Sequence, residues 1–171
     1  MSTPAKVTKT TLFFDGGQLI GQGEITLPNI QFDMQEFKSF GTSGTVELPM
    51  RSLQAMESSV KVAAPNGKFF ASALNVNQTF RLQARAIFQQ VDPISGVSVV
   101  AERVELLLRP KGLDLGSRNM AEGGEFSSAF SVMSVGYFAG GVELMFADPI
   151  NNVYRVNGVD LFAADRAGLG L

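Results

Sequence analysis

The sequence predicts a mainly β fold, an antiparallel β-sandwich or partial barrel with one α-helix. Apolar and polar residues alternate with a period of two along several stretches, as they do in half-buried strands. Turn-forming pairs such as Asp15-Gly16 and Asn157-Gly158 separate these stretches. Strands would then occupy roughly half of the chain, against about 20–25% in an average domain, and this excess favours a sandwich or barrel.

The clearest alternation predicts a long hairpin over residues 80–109. Phe80, Leu82 and Phe88 fall on one face of its first strand, and Arg81 and Arg85 fall on the other. Residues 99–109 repeat this alternation. The turn sequence VDPISG joins the two strands, because Asp-Pro and Ser-Gly both favour turns.

The remaining strands are predicted from shorter patterns. The segment TTLFF leads through the turn DGG at residues 15–17 into a strand over residues 18–27, which Pro28 ends. Residues 30–38 alternate as a third strand, with Phe32 and Met34 on one face. Further strands are predicted over residues 46–50, 60–64, 126–138, 142–147 and 153–156.

One helix is predicted over residues 67–76, because its apolar side chains form i,i+4 pairs, Phe69 with Ala73 and Phe70 with Leu74. The glycine-containing segments 39–45 and 111–125 lack a period and are predicted as loops. The sequence has no internal repeat and no low-complexity linker. We therefore predict that the 171 residues form a single domain, 1–171.

The composition argues against an enzyme. The chain has no cysteine and no histidine, which removes disulfides, thiolate metal sites and the two commonest nucleophile–base arrangements. A pair of carboxylates could still act in acid–base catalysis. Asp15, Asp148 and Asp160 lie beside turn residues, however, where Asp commonly caps the chain. We predict no catalytic residue, no cofactor and no metal site, while a hard-cation site of carboxylates and carbonyls stays open.

Charge and hydropathy narrow the class of protein further. The formal net charge is −2, so nothing indicates a basic nucleic-acid-binding face. No stretch approaches the roughly 20 apolar residues that a membrane-spanning helix needs. The N-terminus shows no secretory signal pattern. We expect a soluble protein made in a cytoplasm.

Four arginines are predicted to lie on the polar faces of two adjacent strands. One interpretation is that these arginines bind an anion or a partner. Another is that they lie on a solvated face and pair across strands with Glu102 or Glu105. If the protein assembles, the same charges could lie in subunit contacts. The sequence favours the solvated face for this set, which comprises Arg81, Arg85, Arg103 and Arg109.

Two segments at the ends of the chain carry a family resemblance. LFFDGGQLIGQGEITLPNI, residues 12–30, and YRVNGVDLFAADRAGLGL, residues 154–171, are similar to the ends of the major tail tube proteins of contractile-tailed bacteriophages. The inner tube proteins of R-type tailocins are related to that family. The motif Arg155-Val156-Asn157-Gly158-Val159-Asp160 and the final Gly170-Leu171 are the most specific parts.

The resemblance implies a structural protein that polymerises as stacked hexameric rings. The rings complete a larger β-barrel and form the rigid inner tube of a contractile tail, the conduit for DNA ejection into the host. The implied partners are copies of the chain, the tail sheath protein, baseplate and tail terminator proteins, a tape-measure protein in the lumen, and DNA in passage. The implied location is the virion tail, after synthesis in the host bacterial cytoplasm.

Two other functions stay open. The first is the inner tube of a genome-free tailocin or contractile injection device, which the sequence does not distinguish from a phage tube. The second is a small-ligand-binding β-barrel, a stable monomer with an apolar interior pocket.

The resemblance and the residues together suggest three groups of contact residues. The loop between two strands resembles the hairpin that reaches the next ring, and it comprises Ser39, Phe40, Gly41, Thr42, Ser43, Gly44 and Thr45. The subunit-contact group holds the closing motif and the apolar C-terminus, whose leucines would dock on a neighbouring subunit: Asn157, Gly158, Val159, Asp160, Leu169 and Leu171. A lumen wall should not attract phosphates, so the neutral-to-acidic face of the third strand is the candidate: Gln31, Asp33 and Gln35.

Overall fold

The structure is a computed structural model that describes residues 5–21, 23–38, 44–62, 67–92, 96–115, 118–119, 123–124 and 126–170. The predicted loop residues 39–43 and the C-terminal Leu171 lie outside these ranges. The helices are α1 (Gly67–Leu74) and α2 (Ala163–Leu169). The strands are β1 (Ala5–Phe14), β2 (Gln18–Gly21), β3 (Gly23–Thr26), β4 (Phe32–Phe37), β5 (Val46–Leu53), β6 (Met56–Val62), β7 (Phe80–Asp92), β8 (Gly96–Asp114), β9 (Arg118–Asn119), β10 (Gly123–Gly124), β11 (Phe126–Ala139), β12 (Val142–Asp148), β13 (Val153–Val156) and β14 (Val159–Asp160).

One antiparallel sheet organises the molecule. It runs in the order β14-β13-β12-β11-β8-β7-β1-β2, with β6 beside β11 and β3 beside β6. The long strand β11 pairs with β8 on one side, and on its other side with β6 over residues 126–132 and with β12 over residues 135–139. The sheet therefore divides at β11 into two branches. The strands that the structure describes form an open sheet, not a closed barrel.

The β3–β6 branch packs over the inner face of the main sheet. Gly23 lets β3 lie close to two neighbours, because a Cβ there would lie 2.6 Å from the Lys61 carbonyl oxygen of β6 and 3.0 Å from the Leu12 side chain of β1 in the main sheet. The inner faces of β1, β6, β7, β8 and β11 supply most of the core, which includes the fully buried side chains Phe130, Leu12, Leu82, Leu106, Leu108 and Val60.

Phenylalanine rings fill the centre of this core. Phe130 lies 5.3 Å from Phe80 and 6.3 Å from Phe69, measured between ring centroids. Phe14 closes the cluster, 5.4 Å from Phe80 and 6.0 Å from Phe69. Helix α1 contributes Phe69 and Ala73 to the core, which confirms the helix and the first of the two predicted i,i+4 pairs. The helix ends at Leu74 instead of residue 76, and Leu74 of the second pair is exposed.

Strands β4 and β5 form a separate two-stranded sheet, which we call the ribbon. It meets the rest of the chain at its base. Phe32 packs edge-on against Tyr154 with ring centroids 5.3 Å apart, and the Gln54 N–H donates to the Gln31 carbonyl. Arg51 forms a 2.8 Å ion pair with Asp165 of α2. Beyond these contacts the ribbon is exposed on both faces.

The predicted mainly β fold and the long hairpin are confirmed, whereas other predictions need correction. The predicted strand over residues 18–27 is two strands, of which β2 pairs with β1 and β3 pairs with β6. Helix α2 was not predicted, so the described chain has two helices instead of one. The predicted loop 111–125 is partly strand, because β8 continues to Asp114 and β9 pairs with β10. Asn157 and Gly158 have φ values of 49° and 80°, which confirms the tight turn expected from Asn-Gly.

Candidate assembly surfaces

The closing motif holds helix α2 against the sheet through polar contacts. The Asp160 carboxylate accepts a hydrogen bond from the Phe162 N–H at 3.0 Å and a second from the Arg166 guanidinium. Arg166 also donates to the Asn152 carbonyl at 2.8 Å. Gly170 ends the helix in the left-handed conformation, with φ of 75°. The closing motif therefore helps to hold the C-terminal helix in position against the adjacent strands.

Helix α2 itself carries no buried residue. The preceding Phe162 is buried against Tyr154, with ring centroids 5.6 Å apart. Leu169 is 68% exposed and Val159 is 61% exposed. Of the predicted subunit-contact residues, these two are thus available to a partner, whereas Asp160 is engaged within the subunit. Docking of Leu169 on a neighbour stays a prediction.

The Asp160 contacts predict a specific pH dependence. The Arg166 guanidinium holds the pKa of the Asp160 carboxyl below its usual 3.8. A carboxyl group whose pKa is lower in the folded protein than in the unfolded chain stabilises the fold at pH values above the unfolded-chain pKa. This stabilisation is lost as the pH falls through the pKa that the group has in the folded protein. Asp160→Asn should lower the melting temperature at pH 7, and the difference from wild type should vanish near pH 2, as followed by circular dichroism.

The matched control for this experiment is Asp15→Asn in the first hairpin turn. Asp15 is exposed and forms no ion pair with another described residue. We expect this substitution to leave the melting temperature nearly unchanged at both pH values. A destabilisation by Asp160→Asn of equal size at pH 2 and pH 7 would contradict the assigned role of the ion pair.

The ribbon presents different chemistry on its two faces. Phe37, Val46, Leu48 and Met50 alternate onto one face, and between 45% and 56% of each residue's surface is exposed. On the other face Glu36 and Glu47 lie directly opposite each other. Like charges directly opposite on two strands destabilise the pair, and an isolated two-stranded ribbon is at best marginally stable in water. The ribbon has the features of a surface that is completed by a partner.

The predicted lumen residues all belong to the ribbon or its base. Gln31, Asp33 and Gln35 are exposed. Asp33 accepts a hydrogen bond from the Ser52 hydroxyl at 2.5 Å, and Gln35 lies opposite Leu48. The structure thus brings them together on a projecting element instead of on the main sheet. Their place on a lumen wall stays a prediction.

The outer face of the main sheet, which points away from the core, carries a row of arginines stacked on aromatic rings. Arg85 and Arg103 lie directly opposite each other on β7 and β8. Arg85 stacks 4.8 Å from the Phe13 centroid on one side, and Arg103 stacks 4.2 Å from the Phe138 centroid on the other. This stacking could not be predicted from the sequence, because each ring lies on a different strand from its arginine and the strand register was not known.

The cross-strand pairing of an arginine with Glu102 or Glu105 is not found among the described residues. Glu105 lies 3.3 Å from Arg103 on the same strand, and its cross-strand contact is the Gln83 amide, which donates to it at 2.8 Å. Glu102 is on the opposite face of β8, buried in the core, where it interacts with the Tyr137 hydroxyl and helps burial to raise the pKa of that phenol. The suggested pairing of an arginine with Glu102 is therefore wrong, because alternation along the strand turns residue 102 inward.

The same face carries a bidentate ion pair farther along the sheet. Arg155 donates to both Glu143 carboxylate oxygens at 2.9 and 3.1 Å and stacks 4.4 Å from the Phe146 centroid. Gly136, opposite Phe146, leaves room for these rings, because a Cβ there would lie 3.1 Å from Phe138. Arg155, the first residue of the closing motif, thus has a structural role on the outer face.

Neither metal chemistry nor a membrane-spanning helix is apparent in the part of the chain that the structure describes. No group of three or more Asp or Glu side chains there is placed to hold a metal ion. No helix among these residues is long and apolar enough to cross a bilayer. The candidate functional features described above are three surfaces, namely the ribbon, helix α2 and the outer face of the sheet.

Comparison with known proteins agrees with this description. The family of phage tail tube protein FII matches residues 4–170. No curated protein sequence matches the chain. Two solved chains share the fold at 14% identity, and both come from an extracellular contractile injection system in the extended state.

The first solved chain belongs to the structure of the PVC sheath/tube terminator, with a TM-score of 0.55 over 81% of this chain and 97% of that one. The second belongs to the PVC sheath–tube complex, with a TM-score of 0.56 over 80% of this chain and 92% of that one. At this identity the likeness establishes the fold, and the family match spans nearly the whole chain. The chain therefore belongs to the phage tail tube protein FII family and is a structural component of a contractile tail tube.

Proposed function

We propose that this protein polymerises as stacked hexameric rings into the rigid inner tube of a contractile phage tail, which forms the conduit for DNA ejection. The observation that carries the proposal is the family match over residues 4–170. The protein then acts as a structural element without catalysis or cofactor. Two features of the subunit, its open sheet edges and its exposed ribbon, support assembly into rings and tubes.

Ring closure would satisfy the free edges of the sheet. Strand β1 pairs with β7 along its length but with β2 only over residues 12–14, so much of its other edge has no partner strand among the described residues. Unpaired edges are a template for association, and a closed cyclic arrangement uses each edge once. Helix α2, with Leu169 exposed, is the second candidate contact in the ring, together with the turn at Asn157-Gly158 and the exposed Val159.

Ring stacking would use the ribbon and the segment 39–45, which lies between β4 and β5 in the sequence. The ribbon exposes its apolar face to solvent. Burial of each such side chain at a contact would contribute about 1.5–3 kcal/mol before ordering costs. The next ring is the partner that would bury this face.

The partners of the tube follow from its place in a contractile tail. The sheath, tail terminator, baseplate and tape-measure proteins would contact the tube, and DNA would pass through it without sequence-specific binding. The solved chains of similar fold come from a sheath/tube terminator and a sheath–tube complex. The protein would be made in the cytoplasm of the host bacterium and would function in the virion tail.

A genome-free injection device is the second candidate, because both solved chains of similar fold come from an extracellular contractile injection system. The two functions share the tube and differ in cargo. A tube that carries DNA needs a lumen wall that does not retain phosphates. The exposed Gln31, Asp33 and Gln35 are our proposed contribution to such a wall.

Electron microscopy of the purified protein tests the proposal. Negatively stained samples are imaged over a range of concentrations, with and without a tail lysate that supplies a baseplate as nucleator. Rings with sixfold symmetry or hollow tubes are the expected result. Small monodisperse particles under all these conditions would overturn the proposal and favour a monomeric ligand-binding protein.

A further inference from the structure

Two like-charged pairs on different elements of the subunit have matching geometry. Arg85 and Arg103 are directly opposite on β7 and β8, and Glu36 and Glu47 are directly opposite on the ribbon. In both cases the two Cβ atoms are separated by the cross-strand spacing of an antiparallel sheet, about 4.5–5.5 Å. One pair is a cation pair and the other an anion pair, so each could bind the other with two parallel bridges.

Within the subunit the two pairs are incompletely neutralised. Glu36 and Glu47 are exposed and form no ion pair with another described residue, the nearby Lys38 included. Among the described residues, Arg85 donates to the neutral Gln83 amide oxygen at 2.7 Å and stacks on the Phe13 ring, and it forms no ion pair with them. Arg103 has the one carboxylate of Glu105 at 3.3 Å. Repulsion within each pair therefore disfavours the free subunit and would be relieved by contact between them.

The surroundings of the two pairs are also complementary. The arginines line a cleft of about 500 Å³ on the outer face, together with Lys9, Phe13 and Phe138. Each guanidinium group lies over the face of a ring, and its Nε is turned toward a neighbour, Gln83 for Arg85 and Glu105 for Arg103. The terminal N–H groups of the two arginines are the donors that carboxylates would use. On the ribbon, Met34 and Pro49 form the next pair on the face that carries the glutamates. A thioether beside aromatic rings is a favourable contact.

We propose that the glutamate face of the ribbon, Glu36 and Glu47, docks into the Arg85–Arg103 cleft on the outer face of a second copy of this chain. This inference rests on the proposed tube and names the surface that receives the ribbon. The occupant of the cleft is a second copy because the ribbon offers two carboxylate side chains from directly opposite strand positions, the same arrangement in which β7 and β8 carry the two arginines. Nucleic acid is the other anion that could enter the cleft, and the test includes it.

Charge exchange tests the pairing. The variants are Glu36→Arg with Glu47→Arg, Arg85→Glu with Arg103→Glu, and the fourfold combination. Each variant is checked for folding by circular dichroism and is then assembled on the baseplate nucleator. Sedimentation gives the critical concentration for tube formation. Each double variant should raise that concentration at least about tenfold, because like charges then face each other, and the fourfold variant should recover most of the loss.

The matched control is Glu24→Arg with Glu57→Arg, two exposed strand glutamates outside the ribbon that form surface ion pairs with Lys61 and Lys111. Because exposed ion pairs contribute little, the control should fold and should leave the critical concentration within about threefold of wild type. If the reversed arginine sites disturb folding, Arg85→Gln with Arg103→Gln and Glu36→Gln with Glu47→Gln replace them. Each neutral double variant should raise the critical concentration. The two effects should not add when the variants are combined, because both remove the same contact.

Each alternative has its own signature. Double variants that assemble as wild type does, or a folded fourfold variant that shows no recovery, would overturn the pairing and leave the tube intact. Normal assembly of Arg85→Glu with Arg103→Glu, together with loss of binding to a short DNA duplex in fluorescence anisotropy, would assign the cleft to nucleic acid instead. A wild-type protein that forms neither rings nor tubes would overturn the proposed function, and the pairing with it.

Discussion

Phe130→Ala is expected to lower the free energy of unfolding by about 3–5 kcal/mol, the usual cost of emptying a buried aromatic site. Phe130 is fully buried on β11 and touches rings from β7 and α1, Phe80 and Phe69. Removal of the ring leaves a cavity lined by the phenylalanines of β7 and α1. Because these elements are held in place by the sheet, the site can collapse only partly.

Urea denaturation of the isolated subunit, followed by circular dichroism, measures this effect. The matched control is Phe37→Ala on the ribbon, where the residue is 56% exposed, and it should change the free energy of unfolding by less than about 0.5 kcal/mol. A loss below about 1 kcal/mol for Phe130→Ala would show that this cluster is not the centre of the core. The comparison is valid if the slope of the unfolding free energy against urea concentration is the same in the variants and in the wild type.

Replacement of Phe37, Leu48 and Met50 together by serine should abolish tube formation and leave the stability of the subunit unchanged. These side chains lie on one face of the ribbon and are exposed in the subunit, so they contribute little to its core. At a ring–ring contact each would contribute about 1.5–3 kcal/mol on burial, and six copies per ring multiply the loss.

Nucleated assembly, scored by electron microscopy and sedimentation, measures the effect, and a thermal melt of the subunit serves as the folding check. The control is the replacement of three comparably exposed residues outside the ribbon, Leu74, Val76 and Leu115, by serine. Tubes of normal length and yield from the ribbon variant would exclude the apolar face from the stacking contact. Equal loss of assembly in both variants would show that the ribbon has no special role.

The period-two alternation was sufficient to predict most strands. Phe80, Leu82 and Phe88 point inward on β7, and Arg81 and Arg85 point outward, as the pattern indicates. The turns at Asp15-Gly16 and Asn157-Gly158 were equally predictable, because few residues adopt their positive φ values without strain. These features depend on neighbours close in sequence.

Helix α2 was not predictable in the same way. Its seven residues are too few to be stable alone, and no side chain caps its N-terminus. It is held by the Asp160–Arg166 and Arg51–Asp165 ion pairs, of which the second joins residues far apart in the chain. A short helix that depends on distant partners leaves only a weak signal in the local sequence.

The candidate surfaces also combine features that can be predicted from the sequence with features that depend on contacts between distant segments. By itself, the sequence determined the β class, the hairpins, the absence of histidine and cysteine chemistry, and the end motifs that resemble the tail tube family, because each is a property of residue type and local order. Only the tertiary structure decided that β4 and β5 form a sheet of their own and that Glu102 is buried. It also decided the two cross-strand pairs, Arg85 opposite Arg103 and Glu36 opposite Glu47. The physical reason is that strand register and sheet order are set by packing between distant segments, and these determine which charges meet.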